Sequence, residues 1–139
     1  MASQLKVDTI TGVTTAGSIS VTGEGNSTTT NLQQGLAKAW INFNQTSTQA
    51  IGDSFNISSI TDAATGQTSP IAFTNSMSDA NFSPTHFNNA NTGNNHTAFG
   101  NNFAGGCGGL ATGSFGTSSY NTGYVDAELN YNSINGDLA

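Results

Sequence analysis

Apolar residues recur at every second position through much of this chain. The clearest run is Ala37-Lys38-Ala39-Trp40-Ile41-Asn42-Phe43-Asn44, where Ala37, Ala39, Ile41 and Phe43 share one face and Trp40 takes the other. A two-residue period with β-branched and aromatic members predicts a strand. Aromatic rings on both faces predict that it is sandwiched or sits at a subunit contact. Residues 54–61 predict a second strand with Phe55 and Ile57 aligned, 62–66 a turn, and 70–74 a third strand, together a hairpin or meander. The run YVDAELNY, residues 124–131, alternates again and is closed by Asn135-Gly136. Residues 75–119 are the least regular. NNANTGNNH and NNFAGGCGGLATG predict long surface loops anchored by Phe82, Phe87, Phe99, Phe103 and Phe115. Strands without intervening helices favour an all-β, antiparallel β-sandwich over residues 37–139.

The first 36 residues have a different texture. Leu5-Lys6-Val7-Asp8-Thr9-Ile10 and Ser18-Ile19-Ser20-Val21-Thr22 alternate within residues 1–25, punctuated by Gly12 and Gly17, and predict two short strands. Two such strands are marginal alone in water. The apolar face formed by Leu5, Val7, Ile19 and Val21 therefore calls for cover from other copies of the chain or from a docking partner. In residues 26–36, Thr30 or Asn31 can cap a short helical turn that sets Leu32 and Leu36 on one face. Packed around a shared axis these leucines would form an apolar plug; alternatively the turn lies against the main domain.

Composition narrows the function. Charged residues are 7% and apolar residues 35% of the chain, against about 25% and about 45–50% in ordinary globular domains. Polarity comes from Asn, Thr, Ser, Gln and Gly, which suit strands and turns. Neutral side chains can also hydrogen-bond to their own copies across a symmetry axis, where like charges would repel. With a net charge of −6 and Lys6 and Lys38 as the sole basic side chains, the chain lacks the cations that neutralise phosphates or hold anionic membranes. No run of apolar residues reaches transmembrane length, and the N-terminus has no signal-peptide pattern. The expected product is soluble and cytosolic, and if it acts outside a cell it leaves by lysis and not by secretion.

The opening SQLKVDTITGVTTAGSISVTGEG resembles that of many virion structural proteins of marine tailed phages, including cyanophages. The stretches LQQGLAKAWINFN and SFNISSITDAATGQTSPIAFTNSMSDANF resemble the knob that follows this opening in tail-fibre-like, fibre or decoration proteins of that group. The likeness spans residues 3–82 and, more loosely, YVDAELNY. It implies a homotrimer that docks on the particle through its N-terminal segment and exposes a β-knob. On that basis Leu5, Val7, Ile10, Ile19, Val21, Leu32 and Leu36 are the candidate attachment and oligomerisation residues. The partners are the chain itself and other virion proteins of tail or capsid. An alternative is an adhesin that meets host glycans through loops 83–119, with Tyr120, Tyr124 and Tyr131 as candidate receptor contacts.

Catalytic and metal patterns point elsewhere. His86 and His96 stand ten apart in an Asn-rich stretch expected to be exposed loop, whereas a metal site needs three or four converging ligands. Asp62 and Asp79 fall at turn positions suited to capping. Asp126 and Glu128, two apart on a strand expected to be solvated, do not make the opposed carboxylate pair of a glycosidase. Cys107 lies in GGCGG with no neighbouring base, as a small buried thiol or a tolerated loop residue. The aromatic residues Trp40, Phe43, Phe55 and Phe73 fit a core. No enzymatic role and no cofactor or metal is expected.

Overall fold

A computed structural model describes residues 4–12, 19–23, 29–89, 106–120 and 123–138. The chain is all-β with antiparallel sheets and divides into two compact units, residues 1–36 and 37–139.

In the smaller unit, β1 (Ser20–Thr22) pairs antiparallel with β2 (Thr29–Asn31), and one helical turn, α1 (Leu32–Gly35), follows directly. The Leu32 N–H donates to Ile19 O at 2.9 Å, tying the turn back to the strand. Two expectations are corrected here. Leu5 to Ile10 form no strand and pair with nothing in a ladder. The segment expected as a helical connector contains a strand, because the β-prone Thr29 and Thr30 complete the β1 ladder before α1 starts.

Among the described residues, the larger unit holds two four-stranded sheets. The first has the order β4 (Ala50–Phe55), β3 (Ala39–Asn44), β10 (Leu129–Asn135), β7 (Ser83–Asn89). The second has the order β5 (Ile57–Ala64), β6 (Gln67–Phe73), β9 (Ser114–Ser118), β8 (Gly106–Ala111). They form a sandwich around a common core of Ala39, Ile41, Phe43 and Ile134 from one sheet and Ile71, Phe73 and Phe115 from the other, completed by Met77 and Phe82. The Phe73 ring stacks on Phe115 and meets Phe82 edge-on, each at 5.5 Å between centroids. In β3 the alternation is visible residue by residue: Ala39, Ile41 and Phe43 are buried and Trp40 faces out.

Four segments differ from the sequence expectation, each for an identifiable reason. Residues 54–61 are not one strand. Asn56 takes the left-handed conformation (φ 58°) and turns the chain from the edge of the first sheet into the edge of the second. Phe55 is left half-exposed before the corner, outside the core expected for it. The expected turn at 62–66 shrinks to Thr65-Gly66, since β5 runs on through Asp62 to Ala64.

The expected loops 83–119 contain β7, β8 and β9. Their alternation is hidden because inward positions carry polar residues, His86 and Asn88 on β7 and Thr117 on β9. The last strand starts at Leu129 and runs to Asn135, displaced from 124–131. The chain before it bonds outside the ladders: the Ala127 carbonyl accepts from Gln45 N at 2.9 Å, and the Ala127 N–H donates to the Gln45 side-chain Oε1 at 3.1 Å. Trp40, expected in the core, lies on the outer face. His96, Phe99 and Phe103 lie outside the described residues.

Candidate interaction surfaces

The interior of the sandwich is apolar along β3 and polar on the strands beside it. Inward positions of β10, β7 and β9 include Asn130 and Asn132, His86 and Asn88, and Thr117, all buried. Asn130 lies opposite Phe43, and Asn132 opposite Ile41, in the β10–β3 register. Burial without partners is costly for such groups, and most of these are bonded to one another. Gln45 Nε2 donates to Thr68 Oγ1 at 3.1 Å, and Thr68 Oγ1 donates to Gln49 Oε1 at 2.9 Å. Ser119 Oγ lies 2.8 Å from Gln45 Oε1 and 2.9 Å from Asn130 Oδ1, to one of which its hydroxyl donates.

A second cluster centres on His86, a buried strand residue and not the exposed loop residue expected. Its Nδ1 is 2.9 Å from Asn132 Oδ1, and its Nε2 is 3.1 Å from Asn88 Nδ2. The Asn88 amide must donate to Nε2, which places the imidazole proton on Nδ1, directed at Asn132 Oδ1. Burial holds the His86 pKa below the usual 6.5, with hydrogen bonds to Asn132 and to the Ser118 backbone opposing it. Cys107 Sγ reaches the same Asn132 Oδ1 at 3.5 Å, and burial pushes its thiol up to about 12. Cys107 sits on β8 and not in a loop. The buried Asn88 Oδ1, Asn132 Nδ2 and Thr117 Oγ1 accept or donate no hydrogen bond among the described residues.

Asp126 and Glu128, expected on the last strand, both precede it, since β10 begins at Leu129. Asp126 Oδ1 accepts the Gly66 N–H at 2.6 Å, so this carboxylate braces the β5–β6 turn and does not lie on a solvated strand. Asp79 Oδ1 accepts the Asn81 N–H at 2.7 Å, an Asx turn. No group of three or more His, Cys, Asp or Glu that could hold a metal occurs among the described residues.

The predicted attachment residues fall in two places. Val21, Leu32 and Leu36 line one open groove of about 260 Å³ with Thr30, Asn31 and Gly35. Leu5, Val7 and Ile10 are not in that lining and lie exposed, Leu5 at 82%. Ile19 is partly buried beside the groove strands. The predicted receptor tyrosines also divide. Tyr120 and Tyr124 form an isolated bridge, their rings edge to face at 5.5 Å and 85°. Tyr131 sits on β10 with its ring 6.3 Å from Phe87. All three are half-exposed. Phe87 was expected only as a loop anchor, and no alternation in its neighbourhood marked it as a partner of Tyr131.

No family model, curated protein or solved structure matches this chain.

No helix among the described residues is long and apolar enough to cross a membrane.

Proposed function

We propose that this chain is a non-enzymatic structural component of a tailed-phage virion. It is a homotrimeric fibre-like protein that docks through its N-terminal segment and projects the sandwich as a knob, on the tail first and on the capsid second. The supporting observation is the contrast between the two units. The sandwich buries a continuous core of its own. The smaller unit leaves Leu5, Val7, Ile10, Val21 and Leu36 all more than half exposed, on a scaffold that among the described residues has two three-residue strands and one helical turn. Such a unit is too slight to stand alone, and its apolar side chains are suited to burial in an assembly. The near absence of charge fits close packing of identical subunits, and the resemblance of residues 3–82 to marine phage fibre-like proteins points to the same assembly.

The test is gold labelling of purified particles with an antibody against the sandwich. Label at the tail is the expected result. Absence of the protein from washed particles would overturn the proposal. A second reading, a glycan-binding adhesin, is favoured by the exposed Tyr120–Tyr124 pair, since sugars pack on aromatic faces. The ring pair would carry it in place of loops 83–119. Binding on a glycan array that is lost in Tyr124→Ala would support it.

A further inference from the structure

We infer that the outward face of the β4-β3-β10-β7 sheet is where copies of this chain pack on one another. This rests on the homo-oligomeric reading above and names its contact surface. The register assigns the face. Trp40 lies opposite Phe55 on β4 and Ser133 on β10, and Tyr131 lies opposite Asn42 on β3 and Phe87 on β7. Leu129 continues the same side of β10. Trp40, Phe55, Phe87, Leu129 and Tyr131 are all between 38% and 51% exposed. The strands of the other sheet show one large exposed apolar side chain among the described residues, Leu110. Exposed positions on β5 and β6 there are small or polar, such as Ser59, Thr61, Ala63 and Pro70.

Charge selects the occupant. The chain carries −6 overall, yet between these rings stand Asn42, Thr85 and Ser133, and among the described strand residues of this face Asp53, opposite Asn42, is the single carboxylate. A basic partner would find almost nothing to pair with. A second copy brings no like-charge repulsion except at Asp53, and aromatic-rich, charge-poor surfaces are the mark of interface centres. Four strands spaced about 4.8 Å apart, β3 and β4 six residues long and β10 and β7 seven, give a face of roughly 20 by 20–23 Å, smaller than the ~800 Å² per partner of a stable interface. Association through this face alone is therefore concentration-dependent, which makes it measurable.

The experiment is sedimentation of the full chain across a dilution series, beside Trp40→Glu, Tyr131→Glu and, as a control in the other unit, Val21→Glu. Circular dichroism checks each variant for the folded sandwich. Trp40 is the chain's one tryptophan, so its emission in the unmodified protein reports burial of this face without any substitution. The expected result is an oligomer whose dissociation on dilution red-shifts Trp40 emission, with self-affinity reduced at least tenfold in both face variants. An oligomer that persists in both face variants and keeps solvent-exposed Trp40 emission, but is lost in Val21→Glu, would overturn this inference and leave the virion reading standing. A wild-type monomer at all concentrations would overturn both. Quenching of Trp40 by maltoheptaose with no change in mass would mark the face as a sugar platform and overturn the inference.

Discussion

Asn56 and Asn75 are joined twice. The Asn75 N–H donates to Asn56 Oδ1 at 2.7 Å, and Asn56 Nδ2 donates to Asn75 O at 3.0 Å. The same Nδ2 also donates to Lys38 O at 3.1 Å, and Asn56 O accepts the Thr74 N–H at 3.1 Å. One side chain thus ties the corner between the sheets to the start of β3 and to the chain leaving β6. Asn tolerates the left-handed backbone that the corner requires, as few other side chains do. Asn56→Ala removes the side-chain bonds and adds backbone strain. Its expected cost is roughly 4–5 kcal/mol, from about 1 kcal/mol for each of the side-chain hydrogen bonds and 1–2 for the conformation. Asn56→Gly relieves only the strain and falls between. Urea unfolding of the three proteins checks the order, and an Ala variant within about 0.5 kcal/mol of wild type would show that the corner holds without its side chain.

Gly66 marks the other end of β5. It has φ 67°, and a Cβ there would meet Val125 N at 2.6 Å, Ser119 O at 2.7 Å and Val125 O at 2.8 Å. These are backbone atoms that cannot rotate aside. Gly66 N donates to Asp126 Oδ1, while its carbonyl accepts the Ser119 N–H at 2.7 Å. Gly66→Ala is expected to cost at least about 3 kcal/mol, more than conformational strain alone. Asp126→Ala should cost about 1–2 kcal/mol and Asp126→Asn much less, because the amide oxygen still accepts. Thermal unfolding distinguishes them. Equal losses in Ala and Asn would mean that the carboxylate acts through its charge and not as an acceptor.

These two positions show what the sequence made legible. The strand at Ala39, Ile41 and Phe43, the β5–β6 hairpin and the antiparallel all-β class follow from simple alternation, because there one face is apolar and the other wet. Alternation fails where the inner face is polar. His86, Asn88, Asn130 and Asn132 point inward, His86 bonded to Asn132 across the strands and to Asn88 on its own strand, Asn130 to the Ala127 carbonyl, a polar inner face that a hydrophobicity pattern reads as loop. It also misleads at Trp40 and Phe55, where apolar character belongs to the outer face. The join at Asn56 was invisible because a single left-handed residue interrupts an otherwise uniform β run. Of the candidate surfaces, Leu32 and Leu36 could be paired from their spacing, whereas their grouping with Val21 in one groove and the meeting of Tyr131 with Phe87 depend on how the chain folds back, the latter on a strand pairing across about forty residues.

His86 makes stability depend on pH. Its folded pKa is lowered by burial from 6.5. Below 6.5 the unfolded chain binds a proton that the native state refuses, so unfolding gains protons and stability falls as pH drops, until the folded pKa is passed. Above 6.5 His86 is neutral in both states and its contribution is flat. Protonated Nε2 would also face the donating amide of Asn88. Urea midpoints between about pH 8 and about pH 5 should decline in wild type and decline less in His86→Gln. Identical slopes in the two proteins would show that some other group sets the acid sensitivity.

Cys107 should be a poor nucleophile in the folded chain. Its thiol is pushed up to about 12 by burial, and the Sγ–H is directed to Asn132 Oδ1 at 3.5 Å. Raising the pKa from 9.0 to about 12 lowers the thiolate fraction near neutrality roughly a thousandfold. The more basic thiolate is intrinsically more reactive, which returns a factor of about 20–30. The net expectation is a reaction with a disulfide reagent about 30–50-fold slower than a free thiol, slower still because the sulfur is half-buried. Adding urea should release the full rate at the unfolding midpoint. The same physics makes Cys107 an unlikely bridge between chains, so the protein should run as a single chain on a non-reducing denaturing gel. Reaction at the free-thiol rate in the absence of urea, or a disulfide-linked dimer on that gel, would show that the β8 strand opens far more readily than its pairing with β9 implies.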